Sequence, residues 1–297
     1  MRRRFLVGLA LLGLGWAVPN EARAGVVYNN WNYAIDSLND ASGGAVYELR
    51  GLALRSDGSD VLVAVSGSFP LTGVASSGAL NGRISLGDFF FNFSNHNLDT
   101  AAKFTDPDVF GVRIASDNDS FGNTSSTPNT TTGVFSNITT AALASANNGY
   151  STLQSYVTAG FGRSVDAMGD LEDNTNASGD VVQYLSYNAM QTNIASGTLL
   201  GGITLLDRAA LAAQGLDFGH FAGADPSGNL VYGFSFSKSL LPTGDFTLHF
   251  FEECINDAVA LKGSIAGVPE PSAFVLAFLG IGTIGGIKLR GMRKGTR

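Results

Sequence analysis

Apolar residues recur at every second position in several stretches of the chain, the period of a strand that buries one face. Residues 46–55 are followed by the turn-forming pair Asp57-Gly58. Residues 61–69 come next, with Val61, Val63 and Val65 on one side, so the pattern predicts a β-hairpin. Phe89, Phe91 and Phe93 alternate with Phe90, Asn92 and Ser94, which predicts a strand with one aromatic face, and residues 109–115 are expected to continue that sheet. Further on, Leu230, Tyr232, Phe234 and Phe236 alternate with smaller residues, and Phe246, Leu248 and Phe250 do the same after the turn Pro242-Thr243-Gly244-Asp245. This predicts a second hairpin.

Between these stretches the period is lost. Residues 116–140 are rich in Ser, Thr, Asn and Gly and read as a long exposed loop, with triplets such as Asn137-Ile138-Thr139 that reflect composition. Two helices are expected, one within residues 139–156 and one over residues 205–214, with Thr204 as N-cap and Gly215 at the stop. No repeat of fixed period is evident, which argues against a solenoid or propeller. Dense turn signals and 38 glycines make a mainly β fold the economical architecture: an antiparallel, sandwich-like extracytoplasmic domain with one or two short helices.

The two ends are of a different kind. Residues 1–24 join Arg2, Arg3 and Arg4 to an apolar stretch over 5–18 and to small residues Ala22 and Ala24, the three parts of a secretion signal cleaved after Ala24. At 14 residues the stretch is short of the roughly 20 a retained spanning helix needs. Residues 268–297 read Val268-Pro269-Glu270-Pro271, then an apolar segment over 272–287, then Lys288, Arg290, Arg293, Lys294 and Arg297. A transmembrane helix is expected there, but at about 1.5 Å per residue it reaches only about 24 Å, which suits temporary retention better than permanent anchorage. Cations flank both apolar segments on their outer sides, so both ends are expected to stay cytoplasmic while residues 25–267 cross the membrane. The expected route runs through the Sec translocon and signal peptidase to an inner-membrane intermediate.

This division changes the charge picture. Residues 25–267 carry 9 Lys and Arg against 23 Asp and Glu, a formal charge of −14, whereas the whole chain stands at −7. Such a surface repels nucleic acid and anionic lipid, and it attracts divalent cations or basic partners. The single cysteine, Cys254, excludes a disulfide framework within one chain, so packing must hold the domain together, and a buried thiol is expected.

Candidate chemistry is sparse. His96, His220 and His249 are widely spaced, with no His-Glu-x-x-His pattern and no Cys/His cluster, so no transition-metal site is expected. A Gly-x-Ser-x-Gly elbow is also missing, and the chain is not expected to be an enzyme. Calcium is the better candidate for an acidic domain. Asp117-Asn118-Asp119-Ser120-Phe121-Gly122 begins like a calcium loop, yet Phe121 and Pro128 stand where ligands belong, so it is not an EF-hand. Asp166, Asp170, Glu172, Asp173 and Asp180 form a second acidic cluster, giving Asp117, Asp119, Asp170 and Asp173 as calcium candidates against the plainer reading of solvated loops. Leu241-Pro242-Thr243-Gly244 lacks the variable residue of a wall-sorting motif and reads as a turn.

The Pro269-Glu270-Pro271 motif, the apolar segment and the basic end together resemble a PEP-CTERM sorting domain, the type processed by an exosortase. The prolines disfavour a helix around Glu270 and keep the motif extended at the outer membrane surface. The resemblance implies recognition of Pro269, Glu270 and Pro271, removal of the tail and transfer of the domain to the cell surface or extracellular matrix. Two further boxes, Leu86-Gly87-Asp88-Phe89-Phe90-Phe91-Asn92-Phe93 and Phe251-Glu252-Glu253-Cys254-Ile255-Asn256-Asp257, are similar to those of a subfamily of exosortase-dependent surface proteins. Two functions are compatible with this. One is a structural or adhesive surface component; the other is a protein that binds or cleaves exopolysaccharide with carboxylates such as Asp88 or Glu253 beside aromatic rings. Such acids more often satisfy turns and backbone donors near strand ends.

Overall fold

The computed structural model describes residues 25–36, 38, 41–42, 44–94, 96–156, 184–185 and 190–266. The secretion signal with Ala22 and Ala24, the tail with Pro269, Glu270, Pro271 and its five cations, and the cluster containing Asp170 and Asp173 lie outside the described residues. Among the described residues no helix is long and apolar enough to cross a membrane.

The chain runs through β1 (Val26–Tyr28), β2 (Trp31–Ile35), β3 (Leu49–Asp57), β4 (Asp60–Gly67), β5 (Val74–Ala75), β6 (Arg83–Ile84), β7 (Phe89–Asn92), β8 (Val109–Arg113) and β9 (Gly133–Ala141). It continues through α1 (Leu153–Tyr156), β10 (Asn193–Gly201), β11 (Thr204–Asp207), α2 (Arg208–Ala213), β12 (Leu230–Ser237), β13 (Gly244–Phe251) and β14 (Ala258–Ile265). Two six-stranded sheets result, ordered β1-β2-β3-β4-β12-β11 and β10-β9-β8-β7-β13-β14, with β5 and β6 as a separate two-stranded ladder. Every pairing between these strands is antiparallel, so the expected mainly β, antiparallel architecture with few helices is what forms.

The sheets face one another across a shared core. Leu52, Leu54, Val61, Val63, Val65, Phe234 and Phe236 from the first sheet meet Phe89, Phe91, Val112, Leu248, Phe250 and Leu261 from the second. Phe89 touches Phe234 at 5.0 Å between ring centroids and Phe91 touches Phe236 at 5.9 Å, both edge to face. Fully burying a side chain of this size stabilises the fold by about 1.5–3 kcal/mol relative to leaving it in water.

The outer faces are covered as well. Trp31, Tyr33, Leu62 and Ala64 pack under Leu211, Leu216 and Phe218, which follow β11. On the other side, Phe90, Phe135, Ile194 and Phe251 pack under Phe104, Tyr156, Leu185 and Met190. That second cover corrects the single aromatic face expected of β7: Phe90 is as fully buried as Phe89 and Phe91.

The first hairpin forms as β3 and β4, joined at Asp57 and Asp60. The second does not. β12 lies between β4 and β11 in one sheet and β13 between β7 and β14 in the other, so residues 238–243 carry the chain across from sheet to sheet. Alternation specifies a buried face and not a partner, and both strands turn their phenylalanines to the same core from opposite sides. The helix expected over residues 205–214 is halved: Thr204–Asp207 pairs with β12 as an edge strand, and the helix begins after Asp207, whose carboxylate accepts from Ala210 N at 2.8 Å. Ladder pairing overrides the helical period there. In residues 139–156 the chain forms the end of β9, a 3₁₀ turn over Ala144–Asn147 and the short α1. Residues 116–140 are not an exposed loop either, since Asn118, Asp119, Ser120 and Asn123 are buried and Ile138 of β9 faces the core.

Candidate functional site

The two boxes singled out in the sequence, more than 150 residues apart, are laid against each other. Leu86 pairs with Glu252 in an isolated antiparallel bridge, Gly87 N donates to Phe251 O at 2.8 Å, and Asp88 N donates to Thr192 O at 2.9 Å. A Cβ on Gly87 would sit 2.6 Å from Thr192 O and 2.9 Å from Phe251 O, so only glycine allows the three backbone segments to approach this closely.

Around this seam lies a polar centre in the protein interior. Asp88 has no exposed surface and accepts from Asn118 Nδ2 at 2.8 Å, from Ile194 N at 2.6 Å and from the Ser120 hydroxyl. Glu253, equally buried, accepts from Ser85 N at 3.1 Å, Asp119 N at 2.5 Å and Asn193 Nδ2 at 2.7 Å. Asn118 stands between Asp88 and Arg113, whose Nε donates to Asn118 Oδ1 at 2.7 Å. The rest of the Arg113 guanidinium is held by the carbonyls of Ser116, Asn118 and Thr131 and by Asn129 Oδ1, at 3.0–3.3 Å. The far end of the second box is used in the same way: Asp257 Oδ2 accepts from Leu49 N at 2.7 Å at the start of β3, and Glu252 Oε2 accepts from Asp257 N at 3.0 Å.

Removal from water dominates the electrostatics. Desolvation pushes Asp88 up to about 6 and Glu253 up to about 8, the latter helped by neighbouring Asp119, against hydrogen bonds that favour the ionised forms. Asp119 and Glu252 are raised for the same reason. Burial also raises the free thiol of Cys254, as expected of a packed cysteine, and holds His249 down to about 3 and therefore neutral. One guanidinium cannot balance several buried carboxylates, so burial outweighs the donors around Asp88 and Glu253 and shifts both acids toward their protonated forms.

The calcium candidates are separated by this arrangement. Asp117 is drawn to Arg83 at 3.7 Å on the surface, while Asp119 turns inward, its Oδ2 accepting from Asn147 Nδ2 at 2.9 Å. Among the described residues no three His, Cys, Asp or Glu side chains converge on a point that fits a metal ion. Asp88 and Glu253, the acids weighed for sugar chemistry, are brought into one network, but the network seals them from solvent.

Sequence reasoning missed Arg113, Asn118, Asn147 and Asn193. A cation ending the apolar stretch 109–113 was a usable signal, since a charge in such a strand must find buried acceptors. Asn147 and Asn193 carried none, because nothing local marks them. No protein-family model, curated protein or solved structure matches the chain.

Proposed function

We propose that this chain is an exported protein that an exosortase sorts through its PEP-CTERM tail and that serves a structural or adhesive role at the cell surface or in the extracellular matrix. The signal peptide takes residues 25–267 through the Sec translocon, the 272–287 segment holds them briefly in the inner membrane, and cleavage near Pro269-Glu270-Pro271 releases them. Nucleic acid is not a partner of a domain with a formal charge of −14.

The observation that carries the structural role is the placement of Asp88 and Glu253. The carboxylates of both boxes are spent on backbone and amide donors inside the fold, at zero exposure, where they cannot meet a substrate. A glycoside-active reading loses the acids it would use.

The sorting part is tested by expressing the chain with and without residues 268–297 in a host that has an exosortase. Surface delivery is expected to be lost with the tail, the truncated protein being released or retained in the periplasm. Unchanged surface delivery overturns the proposal.

A further inference from the structure

Two buried polar atoms at the margin of the sandwich have no hydrogen-bond partner, and they share a cavity. Asn32 on β2 is 9 % exposed, and its Nδ2 donates to Lys262 O of β14 at 2.8 Å. That bond fixes which way the amide lies and turns Oδ1, a pure acceptor, to the other side. Oδ1 is buried there without a donor, and so is the Ser56 hydroxyl on β3. Both residues line one cavity of about 80 Å³, together with Val27, Leu54, Gly263 and Ser264. Buried polar atoms are nearly always paired, so two on one cavity point to a donor that fills it.

Size and reach limit what that donor is. Small-ligand sites run from roughly 300 Å³ upward, and a water takes about 30 Å³, so this cavity holds a head group of one or two heavy atoms. No side chain lining it is titratable, and the acidic body favours a positively charged donor. Gly25 stands directly over the acceptor. A Cβ on Gly25 would lie 2.6 Å from Asn32 Oδ1 and 2.8 Å from Tyr33 O, and its φ of 104° is one that side chains disfavour. Only glycine comes this close, and Gly25 is the residue expected to head the chain once the signal is cut after Ala24.

We propose that the cavity seats the α-ammonium that signal cleavage creates on Gly25, with Asn32 Oδ1 and the Ser56 hydroxyl as its acceptors. Hydrolysis of the Ala24–Gly25 bond leaves the water oxygen on the Ala24 carbonyl carbon. The Gly25 nitrogen takes one proton from the water and one from the new acid, giving a carboxylate on the departing signal and an ammonium on the domain. An α-amino group titrates near 7.7–8.0 and is therefore charged at neutral pH. A peptide N–H offers one neutral donor. The ammonium offers three, in bonds about twice as strong as neutral ones. The site is thus filled only after processing, and it then pins the start of β1, a three-residue edge strand that would otherwise fray. The inference rests on the signal-cleavage part of the proposed function.

The test starts from the full chain expressed in an exporting host. The purified product is weighed intact and then acylated at pH 7 with a limiting amine reagent, and labelling of the Gly25 amine is read on its N-terminal peptide, folded and in urea. Labelling of the folded protein is expected to be about tenfold slower or more, the protection a hydrogen bond to a charged group supplies. Asn32→Ala is expected to bring the folded rate up to the unfolded one, and Asn32→Asp, which keeps an acceptor and adds charge, to slow it further. The second variant carries the test if the first does not fold. Equal rates in folded and unfolded protein, full protection in Asn32→Ala, or labelling of Asn32→Asp no slower than wild type overturns the proposal. An intact mass that starts elsewhere than Gly25 refutes the cleavage and this site with it, whereas a Gly25 start with an unprotected amine refutes the site alone.

Discussion

Glu253→Ala is expected to lower the stability of the fold by about 3–5 kcal/mol, read as a fall in the midpoint of urea unfolding. The substitution strands Ser85 N, Asp119 N and Asn193 Nδ2, three donors at 2.5–3.1 Å from the carboxyl oxygens. Each buried donor left unpaired costs about 1–3 kcal/mol, part of which is returned by relief of the unfavourable contact with Asp119. The same residue sets a pH dependence. Its folded value of about 8 lies above the 4.5 of an ordinary glutamate, so the folded state binds the extra proton between those values. Its stabilisation is therefore complete below about pH 4.5 and is lost as pH rises through about 8. Asp88, raised to about 6, has the same sign. His249, held near 3, is neutral across the upper part of this range and does not oppose it. The melting temperature of the wild-type chain should fall from pH 6.5 to pH 8.5, and Glu253→Gln should flatten that fall. Equal slopes in the two proteins would show that Glu253 does not carry the linkage.

Gly149→Ala should be as damaging through a different cause. A Cβ at this position would lie 1.8 Å from Cys254 O and 2.4 Å from Cys254 Cα, closer than any non-bonded contact allows. The obstacle is backbone, so no rotamer change relieves it. The loop must lift off the second box, breaking the 2.9 Å bond from Tyr150 N to Cys254 O. Over-packing in a well-filled site costs about 1–3 kcal/mol when side chains can give way; against main chain the expected loss is about 4 kcal/mol. Gly202→Ala, where a Cβ meets nothing within 4 Å, is the matched control and should change stability by less than about 0.5 kcal/mol. Comparable melting temperatures for the two variants would show that the loop does not sit where this contact puts it.

These two residues also show what the sequence could and could not convey. The strands were legible because their cause is local: Val61, Val63 and Val65 share a face wherever the strand is placed. Their partners were not. The phenylalanines of β12 and β13 follow one pattern in two different sheets, and only the completed core tells them apart. Leu205 and Leu206 fitted a helix equally well, and the ladder to Phe234 and Gly233 decided for a strand. The second box was visible as a run of acids, but its use was hidden, because Glu253 is satisfied by Ser85, Asp119 and Asn193 and Asp257 by Leu49, donors at least 60 residues away along the chain.

Export with loss of both ends is the claim on which the functional account depends, and the masses of the mature termini test it most directly. The chain should be recovered from the surface or medium of an exosortase-bearing host and its ends read by mass spectrometry. A protein beginning at Gly25 and ending before Ser272 is the predicted result. A cytosolic protein that retains both Met1 and Arg297 would contradict it.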